Sequence, residues 1–91
     1  MEEKAREVAA LLKVLSNENR LLILCSLLQR PMSVGELVEA LPISQSGISQ
    51  HLSLMKSSGM LDYEKKGQTI TYRIKDQRIL AVMQVLKETY C

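Results

Sequence analysis

Residues 42–56 read PISQSGISQHLSLMK, and this stretch decides the fold. Ile48, Leu52 and Met55 recur at intervals of four and three residues, which predicts a helix over residues 45–58 with one apolar face against a core. The other face carries short, polar and nearly uncharged side chains. These are Gln45, Ser46, Ser49, Gln50 and Ser53, with Lys56 at the end of the face.

A second, shorter helix comes just before this one. Ser33 and Glu36 have the spacing of a capping box and begin a helix over residues 34–41. Pro42-Ile43 forms the connector, and Ser44 is the N-cap of the longer helix. A connection of about three residues between two helices is typical of a helix-turn-helix.

Two further helices are predicted upstream. Residues 3–15 have leucines and valines at helical spacing. Ser16 or Asn17 can cap the next helix, which extends to about Gln29 and ends at Arg30-Pro31. Its apolar residues cover most of its circumference, so we expect a central, buried helix.

Downstream of the fourth helix the hydrophobic period changes from helical to alternating. A glycine, Gly59, suits the left-handed end of that helix. Residues 61–66 and 69–74 alternate on either side of Gly67-Gln68, which predicts a β-hairpin with basic residues at its tip. A last helix is expected over residues 77–90, capped by Asp76. The fold class is therefore mostly α with a β-hairpin, in the order α-α-α-α-β-β-α of a winged helix-turn-helix.

Length and composition limit the alternatives. The chain has 91 residues, enough for one domain spanning residues 1–91, and is 46% hydrophobic and 24% charged, which is typical of globular proteins. It has no Phe or Trp, so the core is expected to be aliphatic. No apolar run approaches the roughly 18 residues of a membrane span. The N-terminus has no secretory h-region, so we expect a cytoplasmic protein with no membrane contact.

Charge is unevenly distributed along the chain. The net charge is +2, but residues 42–75 hold five basic and two acidic residues, whereas the rest holds seven basic and eight acidic ones. No Asp or Glu occurs in residues 42–60, where an ordinary exposed helix would carry Glu/Lys pairs. An ordinary solvated surface would explain the charge alone. Together with the helix-turn-helix, the charge predicts contact with double-stranded DNA.

Serine and glutamine side chains offer donors and acceptors to base edges and phosphates in a major groove. The basic hairpin would flank the DNA as a wing. The predicted contact residues are Ser44, Gln45, Ser46, Ser49, Gln50, His51 and Lys56 on the helix, and Lys65, Lys66 and Gln68 on the wing. His51 borders the buried face, so a structural role and a DNA contact both stay open for it.

Other function classes fit the residues poorly. The chain has no Ser/His/Asp set, no paired carboxylates and no Gly-rich phosphate loop, so an enzyme is not expected. A winged helix used only for protein–protein contact would place apolar anchors on the polar face of the fourth helix. Gln45, Ser46, Ser49 and Gln50 provide none.

The residues resemble the ArsR/SmtB family of bacterial winged-helix repressors over nearly the whole chain. The resemblance rests on residues 15–24, Glu36-Leu37, residues 43–52, Leu61, and Lys66-Gly67-Gln68 with Tyr72. It implies a homodimer, with the first and last helices at the interface, that represses transcription until an inducer binds. The last helix is apolar on more than one face, which also favours a partner. Two recognition helices would then meet an inverted-repeat operator.

Metal sensing, which is common in this family, is not expected. Metal-sensing members of the family use thiolates on the third helix or Asp/His/Glu ligands paired between the last helices. This chain has no Cys in residues 34–41, and has Asp76-Gln77-Arg78 where a metal site would have Asp-x-His. A zinc site needs about four N, S or O ligands, and the chain has one histidine. We therefore predict no metal and no cofactor.

The two cysteines, Cys25 and Cys91, are the remaining candidates for sensing. Composition alone favours inert roles for both, with Cys25 as a small hydrophobic residue of the core and Cys91 as an exposed thiol at the tail. The positions, however, resemble the sulfide- and persulfide-responsive branch of the family, which includes the biofilm growth-associated repressor type. That resemblance implies attack of a thiolate on a sulfane-sulfur donor, then closure of a disulfide or polysulfide bridge. A repressor with inert cysteines and another inducer remains the alternative.

Overall fold

The computed structural model describes residues 1–90 and confirms the predicted winged helix-turn-helix. Every predicted helix and both strands of the hairpin are present, with bounds within one or two residues of those predicted. The elements are α1 (Glu2–Leu15), α2 (Glu18–Gln29), β1 (Met32–Ser33), α3 (Val34–Ala40), α4 (Gln45–Ser57), β2 (Leu61–Lys66), β3 (Thr69–Ile74) and α5 (Gln77–Tyr90).

The predicted element order is incomplete, because it lacks β1. This two-residue strand pairs antiparallel with β3, Met32 opposite Tyr72 and Ser33 opposite Thr71, in a sheet of order β1-β3-β2. Two residues are too few to show a hydrophobic period, so the pattern carries no sign of the strand. The pairing connects the start of α3 to the wing.

Local capping explains where the helices begin and end. The Asn17 side chain accepts a hydrogen bond from the Arg20 backbone amide, which makes Asn17 the cap of α2. At α3 the capping box forms in both directions, Glu36 N–H to Ser33 Oγ at 3.1 Å and Ser33 N–H to Glu36 Oε1 at 3.0 Å. Gly59 has a φ of +84°, the left-handed conformation predicted for the end of α4.

Glu36 also bonds the preceding helix. Arg30 Nη1 donates to Glu36 Oε2 at 2.8 Å. The Ser33 backbone hydrogen bond, and then that of the Arg30 side chain, hold the pKa of the Glu36 carboxyl below its usual value. This carboxylate therefore ties the end of α2 to the first turn of α3.

The core is aliphatic, as predicted. Among residues 1–90, seven large side chains are fully buried; they are Ile23, Leu24, Leu37, Ile48, Leu52, Met55 and Ile79. They come from α2, α3, α4 and α5, so the helix-turn-helix shares one core with the last helix. No helix within residues 1–90 is long and apolar enough to cross a membrane.

The predicted central, buried helix α2 is buried on one side only. Ile23, Leu24 and Leu27 are buried, whereas Leu21, Leu22 and Cys25 are only partly covered. The apolar residues extend around α2 beyond the part of its surface that the core covers. Cys25 is therefore half-buried and packs against the edge of the core.

Replacing Ser33 with alanine tests the cap of α3. Ser33→Ala removes the acceptor of the Glu36 amide, so we expect the free energy of unfolding to fall by about 1 kcal/mol. Urea denaturation measures this change. Ser53→Ala is the matched control, because Ser53 is exposed within α4 and alanine favours helices. Equal losses in the two variants would contradict the role given to the cap.

Candidate nucleic-acid interface and thiol site

The polar face of α4 is fully presented to solvent. Ile48, Leu52 and Met55 are completely buried, which fixes the rotation of the helix. As a result the predicted contact residues all lie at the surface; Gln45, Ser46, Ser49, Gln50, Ser53 and Lys56 are exposed. The face is a row of hydrogen-bonding groups on a rigid support, as base reading in a major groove requires.

The beginning of α4 is suited to a phosphate. Ser44 Oγ accepts a hydrogen bond from the Gly47 amide at 3.1 Å and lies 3.3 Å from Ser46 Oγ. The first turn contains no acidic residue, so its free amides and partial positive charge meet no competing carboxylate. Gly47 lets this turn close, because a Cβ there would lie 3.1 Å from both Ile43 Cγ2 and Ser44 Oγ.

The wing carries exposed basic groups at its tip. In the β2–β3 ladder Lys65 lies opposite Ile70 and Lys66 opposite Thr69, and Gln68 lies in the turn. Lys66 Nζ is 3.7 Å from Glu64 Oε1, a solvent-exposed pair of the kind that contributes little to stability. Lys65 has no carboxylate within ion-pair distance among residues 1–90.

The wing also contacts the recognition helix. Lys56 Nζ, in the last turn of α4, lies 4.9 Å from the centre of the Tyr63 ring in β2. The polar face of α4 and the wing therefore meet where the last turn of α4 contacts β2.

His51 lies at the border of the polar face and is half-buried. Burial, and to a smaller extent the positive charge of Arg20, lowers the pKa of His51 below its usual value of 6.5. The imidazole is therefore neutral at pH 7 and has one donor and one acceptor nitrogen. A base contact and a structural role both remain compatible with this position.

Cys25 lines a cavity between α2 and α5 of about 680 Å³. The cavity is mostly apolar, with Glu18 and Lys87 as its charged residues; its other lining residues are Ser16, Asn17, Leu21, Leu22, Met83, Leu86 and Tyr90. Lys87 and Tyr90 were not singled out from the sequence. Their spacing in the sequence could have identified them. Together with Met83 and Leu86, Lys87 and Tyr90 recur at helical intervals, which places all four on one side of α5.

The second predicted thiol, Cys91, lies outside the described residues. Its neighbour in the chain, Tyr90, is the last residue of α5 and lines the same cavity as Cys25. The described part of the chain therefore ends at the cavity that Cys25 lines.

Asp76 and Arg78, at the start of α5, pair with each other. Arg78 Nη2 is 2.7 Å from Asp76 Oδ2, and Arg78 Nε donates to Asp76 Oδ1 at 3.1 Å. The hydrogen bond to Arg78 is the main reason that the pKa of Asp76 lies below its usual value. Residues 1–90 contain no group of three or more His, Cys, Asp or Glu side chains placed to hold a metal ion.

Comparison with known proteins identifies the family. The sequence profile described as "Bacterial regulatory protein, arsR family" matches residues 17–63. The chain is 40% identical to the transcriptional activator HlyU of Vibrio cholerae, over all of this chain and 84% of that protein. It is 36% identical to the biofilm growth-associated repressor of Agrobacterium fabrum, over all of this chain and 78% of that protein.

A solved structure agrees over the same extent. The crystal structure of the transcriptional regulator HlyU from Vibrio vulnificus superimposes with a TM-score of 0.95 at 40% identity, covering 100% of this chain and 95% of that one. The resemblance drawn from the sequence motifs is confirmed. The chain therefore belongs to the arsR family of bacterial regulatory proteins, and it is a DNA-binding transcriptional regulator with a winged helix-turn-helix.

Proposed function

We propose that the protein is a dimeric repressor that leaves its operator when reactive sulfur species modify Cys25 and Cys91. The observation that carries the DNA-binding part is the polar face of α4, which is exposed, free of carboxylates and flanked by the basic wing. Ser44, Gln45, Ser46, Ser49, Gln50 and His51 would read or orient the duplex, and Lys56, Lys65, Lys66 and Gln68 would contact its backbone.

The direction of regulation is part of the proposal, since one relative is described as an activator and another as a repressor. Repression needs only that a bound dimer occupy its operator in the cytoplasm. No additional surface for recruiting a polymerase is required. We therefore favour repression as the simpler outcome of DNA binding by this fold.

A second copy of the chain would cover the apolar surfaces of α1 and α5. Val8 and Leu12 are 53% and 52% exposed on α1, and Val85 is 61% exposed on α5. Each lies four residues or fewer from other apolar positions on its helix, so the two helices present apolar stripes rather than isolated side chains. A dimer that binds an inverted repeat through these helices needs its two recognition helices about 34 Å, one turn of DNA, apart.

The sulfur chemistry can start at Cys25, because its half-buried side chain packs against the core on one side and also lines a cavity. A Cys25 thiolate attacks the sulfane sulfur of a persulfide RSSH, forming a Cys25 persulfide and releasing the thiolate RS⁻. The Cys91 thiolate then attacks the inner sulfur of that persulfide. A disulfide forms, hydrosulfide leaves, and no further oxidant is consumed because the sulfane sulfur is reduced. A second donor molecule would give a longer polysulfide bridge instead.

Closing such a bridge would alter dimer geometry. A plain disulfide needs the two Cα atoms about 4.4–6.8 Å apart, so it would draw the end of α5 towards α2. The apolar stripe that we assign to the dimer interface lies on the same helix, α5. Release of DNA would follow from a changed spacing of the two recognition helices.

Substitutions on the polar face of α4 and substitutions on the wing are expected to affect DNA binding differently. Ser49→Ala and Gln50→Ala should reduce discrimination between operator and scrambled DNA by about 1–3 kcal/mol for a good base contact. Lys66→Ala should weaken binding to all sequences and lower the salt slope by about one. Fluorescence anisotropy at several salt concentrations measures both effects. Gln29→Ala, at an exposed glutamine of α2, is the control, and wild-type behaviour of every variant would refute the assigned face.

The oligomeric state tests the apolar stripes. Wild-type protein should be a dimer at micromolar concentration by light scattering, and Val85→Asp should shift it to a monomer because an aspartate would be desolvated in the interface. Leu54→Asp is the matched control, since Leu54 is 48% exposed but lies on α4. A wild-type monomer, or dissociation by both variants alike, would contradict the proposed interface.

Removing either thiol tests the switch. Cys25→Ser and Cys91→Ser should bind the operator normally but no longer release it on treatment with a sulfane-sulfur donor. Zinc and arsenite should have little effect on any of the three proteins. Gel shifts with and without donor measure release, and mass spectrometry identifies the bridge. Normal release by Cys91→Ser would refute the two-thiol mechanism, and donor-insensitive wild-type protein would favour inert cysteines with another inducer.

A further inference from the structure

One contact between the recognition helix α4 and the wing pairs a lysine with an aromatic ring, and its chemistry differs from that of the ion pairs. Lys56 Nζ lies 4.9 Å from the centre of the Tyr63 ring, within the roughly 6 Å at which an ammonium is attracted to an aromatic face. Tyr63 is 41% exposed. The pair therefore lies at the surface, at the junction of α4 and β2.

The Tyr63 ring is held in place from the sheet. It pairs across the hairpin with Tyr72, with ring centres 5.7 Å apart and planes at 61°, an edge-to-face arrangement. Tyr72 lies opposite Met32 in β1, and Met32 is buried in the core. The support for Lys56 therefore runs through the sheet to the core.

Because Tyr63 is uncharged, it affects how Lys56 can bind an anion such as a phosphate. The side chains of Lys66, Arg73 and Arg78 each lie within 4.0 Å of a carboxylate. Such a partner offsets the positive charge and competes with an incoming phosphate. An aromatic ring orients the ammonium of Lys56 and leaves its full charge in place, and α4 itself contains no acidic residue.

We propose that Tyr63 is a positioning residue for DNA binding, which holds the Lys56 ammonium where a phosphate meets the junction of recognition helix and wing. This inference rests on the proposed DNA-binding face. The ring restricts a long, flexible side chain before DNA arrives, so less conformational freedom is lost on binding. Tyr63 itself need not touch the duplex.

A double-mutant cycle on the full chain tests this role. The probes are a duplex selected from a random pool by the wild-type protein and an unrelated duplex, with affinities measured by fluorescence anisotropy. Tyr63→Ile should weaken binding to both duplexes about 2–5-fold, as for an exposed cation–π contact. Lys56→Gln should weaken both and lower the salt slope by about one. In the Lys56→Gln background, Tyr63→Ile should have no further effect.

Two comparisons separate positioning from a merely structural role. Tyr63→Phe keeps the ring and should restore wild-type affinity. In the control cycle, Tyr63→Ile and Lys66→Gln should act additively, because Lys66 lies on the other face of β2. If Tyr63→Ile does not fold, Tyr63→Val replaces it, since β-branched residues favour strands.

The outcomes are distinguishable. Equal weakening by Tyr63→Ile with and without Lys56, no weakening at all, or failure of Tyr63→Phe to restore affinity would overturn the positioning role while leaving the DNA-binding face intact. Wild-type protein that selects no duplex would overturn the proposed function, and the positioning role with it.

Discussion

Burial of one side of α4 is the constraint on which the other features depend. Ile48, Leu52 and Met55 have no solvent exposure, and they enter the core that α2, α3 and α5 share. Because interiors are close-packed, a helix anchored at three such positions has little freedom to rotate. Its polar side is therefore presented in a single orientation. The wing then adds charge beside a surface that is already fixed.

Periodicity and capping in the sequence predict most of this arrangement. The Ser33–Glu36 box, the Ser44 cap and the alternation of the hairpin each depend on neighbouring residues, so each is visible in a short window. The strand β1 is different, because Met32 and Ser33 form it only by pairing with β3, far along the chain. The pattern of α2 likewise shows which residues are apolar but not which of them the core covers.

The features of the candidate site also fall into those that a local sequence pattern predicts and those that depend on packing between elements. Exposure of the polar face follows from the buried stripe on the same helix, so those residues were identified from sequence. The contact between Lys56 and Tyr63, and the cavity that brings Cys25 near Lys87 and Tyr90, join different elements. Such contacts depend on how helices and strands pack together, which no local pattern specifies. The resemblance of its position identified Cys25, whereas the cavity that it lines is formed by the packing of α2 and α5.

An uncharged recognition face is well matched to the function that we propose, in which the regulator must release DNA. Cation–phosphate contacts supply affinity for any sequence, so a face crowded with lysines would hold the dimer on DNA after its geometry changed. Here serines and glutamines occupy the centre of the face, and the cations stay at its edge and on the wing. Hydrogen bonds to bases depend on alignment, so in the proposed dimer a change in the spacing of two such helices would remove them together. Since each 1.4 kcal/mol is about tenfold in affinity, the loss of two or three good contacts is enough to empty an operator.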